Sequence, residues 1–204
     1  MNNLCRPSTL LIALLALLLP YTSVHAFDLE ALSAQLEQPA VVRGEFVQEK
    51  HLRALPAPLT SRGRFVLARE HGLLWQLQQP LQQDYRISSQ GISRRGLNGW
   101  QANGQPGAAS QQNRLFLAVL AGDTRGLQRD FELNLNGTAT DWHLELTPRG
   151  LLLSQIFSAI HIQGGATVES IELLEVQGDR TLLRLVGSQL DGPLSAAESH
   201  DFRS

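Results

Sequence analysis

The sequence predicts an α+β chain, mainly β, in which short helices lie against one face of a one-sided antiparallel sheet. Three observations carry that prediction. Segments of strict two-residue alternation recur, as in Asp130–Asn136, where Phe131, Leu133 and Leu135 share one face and Glu132, Asn134 and Asn136 the other. Turn-forming groups at Glu70–Gly72, Ser89–Gly91, Leu97–Gly99 and Gln177–Asp179 separate such segments at hairpin spacing. Three short apolar segments follow a helical period instead, and none is long enough to form a layer of its own.

Residues 1–26 read as a secretory signal peptide: Arg6 precedes the apolar run Leu10–Leu19, and Val24 and Ala26 supply the small positions for cleavage before Phe27. The run is about half the ~20 residues that a membrane-spanning helix needs. Cys5 stands ahead of the run and leaves with the signal, so the exported chain has no thiol, no disulfide and no lipidated cysteine. Residues 27–204 then form a single exported, soluble domain, long enough to bury one core.

Asp28 caps the first helix, Leu29, Leu32 and Leu36 give it one apolar face, and Pro39 ends it. Strands follow at Arg43–Lys50, Gly63–Glu70, Leu73–Gln79 and Asp84–Ser89, with Pro56–Gly63 read as a turn. Asn98–Asn113, rich in Gly, Gln, Ala and Ser, reads as a flexible connector. It leads into an apolar helix, Arg114–Gly122, with Asn113 as cap and Gly122 as stop. The alternating strands Asp130–Asn136 and Asp141–Thr147 flank Asn136-Gly137-Thr138, a sequon better explained as a hairpin turn. After Pro148, Arg149–Ile160 reads as a short helix turning to strand near Ile160, and Val168–Val176 and Arg180–Gly187 close the chain, for eight strands or more.

Composition narrows the function. The chain is 43% hydrophobic and 18% charged, and beyond residue 26 it carries 16 basic and 19 acidic side chains, which gives no reason to expect nucleic acid. Sign is unevenly spread: Arg43–Arg95 is net +5 and Gly96–Ser204 net −5, to be neutralised across one sheet or left as a basic docking surface. His51, His71, His143, His161 and His200 form no metal-ligand spacing, no phosphate loop or nucleophile elbow is present, and Ser199-His200-Asp201 cannot be a triad because its members are neighbours in sequence. Glu172 and Glu175 read as a solvated strand edge. No catalytic residue, metal or cofactor is expected. What stands out is aromatic weight on the apolar face, at Phe46, Phe65, Trp75, Phe131 and Trp142. A curved sheet of this kind either fills its concavity with the helices or closes them over a cavity for a ligand.

The order of motifs resembles the periplasmic carriers of outer-membrane lipoproteins, the LolA-like family, over roughly Phe27–Val186. Gly44-Glu45-Phe46-Val47-Gln48 looks like the family's Gly-x-Phe-x-Gln strand, Ser61–Pro80 its Gly, Trp, Pro hairpin, and Gln90-Gly91 its turn. Leu120–Asp123, Phe131, Trp142–Arg149, Phe157–Ile162 and Val176–Leu185 resemble its lid helix, its Trp-x-Leu-x-Leu-x-Pro strand and its closing hairpin. The resemblance implies an unclosed antiparallel half-barrel, lidded by helices, that carries acyl chains of a lipoprotein or other acylated lipid from an inner-membrane exporter to an outer-membrane acceptor. Phe116, Val119 and Leu120 would face those chains from the lid. Leu77, Leu133, Leu144, Leu146 and Phe157 would join the aromatic residues in lining the cavity, and the protein would act as a monomer. Two departures bear on cargo and docking: Leu73-Leu74-Trp75 lacks the arginine of the family's Leu-Arg-Trp, and Gly187–Ser204 lacks the carriers' extra strand. Arg94 and Arg95 are the candidate partner-docking residues. The competing readings are an envelope accessory protein that binds a protein partner, and an enzyme acting on acyl substrates.

Overall fold

The computed structural model describes residues 27–102, 108–190 and 192–203, with side chains left undescribed over 108–113; the expected signal peptide, its expected cleavage site and Cys5 lie outside them. Helix α1 (Leu29–Glu37) forms as read, with the Asp28 carboxylate accepting from the Ala31 N–H at 2.9 Å and Leu32 and Leu36 buried. Strands β1 (Val41–His51), β2 (Leu59–Ala68), β3 (Gly72–Gln79), β4 (Gln83–Ser88), β5 (Gly91–Gly96) and β6 (Gly99–Ala102) form one antiparallel meander. Helices α2 (Ala108–Leu120) and α3 (Thr124–Asp130) follow. A second meander then runs through β7 (Phe131–Thr138), β8 (Asp141–Pro148), β9 (Phe157–Gly164), β10 (Val168–Glu175) and β11 (Arg180–Leu190), with the one-turn helix α4 (Leu151–Ser154) between β8 and β9.

The two meanders join where β1 pairs with β11, giving a single eleven-stranded sheet in the order β6-β5-β4-β3-β2-β1-β11-β10-β9-β8-β7, not closed into a barrel. Its two edges, β6 and β7, are consecutive in the chain. The connection through α2 and α3 therefore spans the sheet from edge to edge, and it does so over the apolar face, with Leu115, Phe116, Val119, Leu120 and Leu127 in the core. That is why the α2 sequence has so little polar character at its C-terminal end.

One glycine shows how the concave face is filled. Phe46 on β1 stands opposite Gly63 on β2, and a Cβ at Gly63 would come within 2.7 Å of the Phe46 ring as well as meeting the Gln76 carbonyl. The missing side chain lets the Phe46 ring lie across β2 and stack on Trp75 of β3, centroids 3.8 Å apart. Trp75 in turn touches Phe65 and, at 6.0 Å, Phe116 of α2.

Several boundaries differ from expectation. Leu59–Gly63 is already strand, and Gly99–Ala102 and Ala108–Asn113 turn most of the connector into β6 and the first turns of α2; its remainder, 103–107, lies outside the described residues. Asn113 is thus inside α2 and not its cap, whereas Gly122, at φ +73°, does follow its end. The β7–β8 turn falls at Ala139-Thr140, not at the sequon: Gly137, at φ +106°, pairs with Trp142, and a side chain there would meet the Asp141 carbonyl. The helix expected over Arg149–Ile160 is a single turn, because the chain enters β9 at Phe157; Ile160, Ile162 and Gly164 alternate inward there, and an irregularity in the β9–β10 pairing leaves Phe157 buried as well. β10 is an interior strand, so Glu172 and Glu175 are not at an edge. Glu172 pairs with Arg180 (3.3 Å) and His161 (3.5 Å), and Glu175 with Lys50 (3.6 Å).

The C-terminal segment is a helix as well, α5 (Ala196–Arg203), packed on the convex face. Phe202 covers Val41, Val66, Ala68 and Leu74 and stacks on His71 at 5.4 Å. Leu74, where the family has arginine, therefore faces α5 and not the helices of the concave side.

Candidate functional site

The register puts Phe46, Phe65, Trp75, Leu77, Phe131, Leu133, Trp142, Leu144 and Leu146 on one face of the sheet. They do not all meet the same space. Phe46, Phe65 and Trp75 pack solidly against Phe116, Val119 and Leu120; the void beside Leu120, Leu36 and Phe65 is about 10 Å³, room for one water molecule at most. Trp142, Leu144 and Leu146 are buried floor residues, the Trp142 indole N–H donating to the Gly165 carbonyl at 2.7 Å, while Leu77 and Leu133 are half-buried.

Open space lies toward the β7 edge. A cleft of about 390 Å³ sits between α2, α3 and α4, with apolar walls from Leu115, Ala118, Leu127, Phe131, Leu153 and Phe157. Of the expected cavity residues only Phe131 and Phe157 line it. Leu115, Ala118, Leu127 and Leu153 were not singled out by sequence. Leu127 sits on α3, a helix the sequence reading did not expect, whose start is marked by the Asp123 carboxylate accepting from the Gly126 N–H at 2.8 Å; Asp123 is a cap signal, which Gly126 inside so short a helix weakens. Arg114, Asp123 and Asp130 add the polar part of the lining, and Leu152 its rim.

Arg94 and Arg95 point to opposite faces. Arg94 is exposed and stands opposite Tyr85 on the concave side near the sheet edge. Arg95 lies on the convex side, where it bonds Asp201 of α5, pairs with Asp84 at 3.0 Å and lies 4.5 Å above the Trp100 ring. The Asp201 bond holds the Arg95 pKa above its ordinary value. Arg43 pairs with Glu198 at 3.3 Å and donates to the Pro193 carbonyl, and Arg86 donates to the Asp201 carbonyl at 3.0 Å. Burial pushes the Glu198 carboxyl up, but the Ser195 N–H and hydroxyl and the Arg43 guanidinium together hold it below 4.5. Arginines of the basic half and acids of the acidic half thus meet across the fold, and α5 is their meeting point. Among the described residues no group of three or more His, Cys, Asp or Glu side chains is placed to hold a metal, and no helix is long and apolar enough to cross a membrane.

An open antiparallel half-barrel, bridged edge to edge by helices that leave an apolar cleft, defines a class of helix-lidded sheet proteins. Residues 21–199 match the family described as outer membrane lipoprotein carrier protein LolA-like, and the chain belongs to that family. No curated protein matches it. Solved structures with a similar fold include the Pseudomonas aeruginosa MucA/MucB complex (14% identity, TM-score 0.48, 83% of this chain). They also include the LolA superfamily protein NE2245 of Nitrosomonas europaea (8%, 0.49, 83% of this chain and 96% of that one). A third is a putative outer membrane lipoprotein-sorting protein domain of Vibrio parahaemolyticus (11%, 0.44, 85% and 94%). The chain spans 58% of the length of the matched chain in the MucA/MucB complex.

Proposed function

We propose that this protein is a periplasmic carrier that shelters an acyl chain of a lipoprotein or other acylated lipid in the cleft and moves it from an inner-membrane donor to an outer-membrane acceptor. The observation that carries the reading is the apolar cleft of about 390 Å³ beneath helices that cross an open sheet. An acyl chain gains ~0.8 kcal/mol for each CH₂ it buries there, so even partial shelter is worth several kcal/mol before ordering costs. α2 and α3 act as the lid, and their displacement joins the cleft to the aromatic floor at Phe46 and Trp75. Release follows when a partner offers a better site or favours the open lid, since a partner shifts states only by its differential affinity. No cofactor or catalytic group takes part, and the carrier acts as a monomer.

A second reading, an envelope accessory protein that binds a protein partner, is favoured by the tight packing of Phe116, Val119 and Leu120 on the sheet. A photo-crosslinking residue at Leu153, inside the cleft, separates the two. Acyl-lipid adducts at Leu153 and none at Glu172 on the convex face are expected for the carrier; absence of lipid adducts at both positions would favour the accessory protein.

A further inference from the structure

We infer that α4 is a bilayer-docking tip, whose Leu151 and Leu152 enter the surface of an anionic membrane so that a chain passes from the bilayer into the cleft without crossing water. The inference rests on the carrier reading of the cleft. Leu151 is 84% exposed and Leu152 63% exposed, consecutive on a helix that buries no residue of its own. Leucines so exposed and adjacent, at the mouth of an apolar cleft, have no partner within the described residues. The turn is nonetheless firmly held. The Arg149 N–H donates to the Asp130 carbonyl at 2.9 Å before it, the Val176 N–H to the Ile156 carbonyl at 3.0 Å after it, and Ser154, Gln155 and Ile156 bond back within it. α4 therefore presents its leucines on a fixed platform.

Charge selects a bilayer as the occupant. Arg149 lies two residues before Leu151, Arg114 lines the cleft and Arg129 is in the last turn of α3; all three are exposed, and among the described residues none makes an ion pair. Asp123 and Asp130 lie on the same lining, so the three arginines outnumber the acids there by one. Unpaired arginines around projecting leucines match an apolar interior beneath anionic headgroups. The leucines also project beyond the surface, whereas a site for a protein's side chain would be a pocket. Leu152, on the tip and on the cleft rim at once, makes the apolar path continuous.

The test is flotation of the mature chain with vesicles of phosphatidylethanolamine and phosphatidylglycerol, or of phosphatidylcholine alone, alongside uptake of a monomeric fluorescent fatty acid in solution. Wild-type protein should float with the anionic vesicles and lose binding at high salt. Leu151→Asp should weaken flotation at least tenfold and leave fatty-acid uptake unchanged; Arg149→Gln should weaken it severalfold. Leu97→Ser, an equally exposed leucine in the β5–β6 turn, should float as wild type. Equal flotation of wild type and Leu151→Asp, or no flotation at all, overturns the docking tip, as does crosslinking from Leu151 to a protein with no vesicle binding. Flotation that depends on Leu151 in a protein that takes up no fatty acid supports the tip and defeats the carrier reading.

Discussion

Replacing Leu120 with glutamate asks whether α2 is a lid or part of the permanent core. Leu120 is 6% exposed and packs near Leu36, Val42, Phe65 and Leu185 around a void of about 10 Å³, so there is no room or partner for a carboxylate. The substitution removes about 2 kcal/mol of leucine burial and adds about 2 kcal/mol or more for an unpaired polar group. The sum, about 4 kcal/mol, is close to a thousandfold in an equilibrium constant. If α2 opens as a unit, that shift falls on the lid. Hydrogen exchange should then show α2 and α3 losing protection while β8 and β9, around the buried Trp142, keep theirs and the urea midpoint of the sheet scarcely moves. The lid is refuted if protection falls equally in α2 and in β8 and β9, with one cooperative unfolding transition weakened by about 4 kcal/mol.

Other consequences concern the two faces. Phe202→Ala should cost about 3 kcal/mol by uncovering Val41, Val66 and Leu74, read from urea unfolding. Gly63→Ala should cost about 1–3 kcal/mol and disrupt the Phe46–Trp75 stack, visible as a change in near-ultraviolet circular dichroism. Glu198 is held below 4.5, so its contribution to docking α5 is complete above that value and is lost as pH falls through the lower folded-state value. α5 should therefore stay protected near neutral pH and exchange faster only in acid, and Glu198→Gln should flatten that acid dependence.

The sheet was legible because alternation is a local signal: Trp142, Leu144 and Leu146 read inward from sequence alone and are inward. α5 was not legible, since a single buried Phe202 in a polar octet gives no helical stripe, and its attachment depends on Arg43, Arg86 and Arg95, more than a hundred residues away. The same limit applies to the cleft. Phe46 and Phe131 look alike as inward aromatic residues on strands, but Gly63 and Trp75 give the first a close-packed place and the geometry of α2, α3 and α4 leaves the second beside open space. Which face a residue takes is set by its own segment, whereas whether that face is filled depends on helices that arrive from elsewhere in the chain.

Native mass spectrometry of the mature protein purified gently from the periplasm tests the proposed carrier role most directly. The expected result is added mass that organic extraction removes and that fragments as acyl chains. A clean unliganded mass, unchanged after incubation with lipid and with lipoprotein, would contradict it.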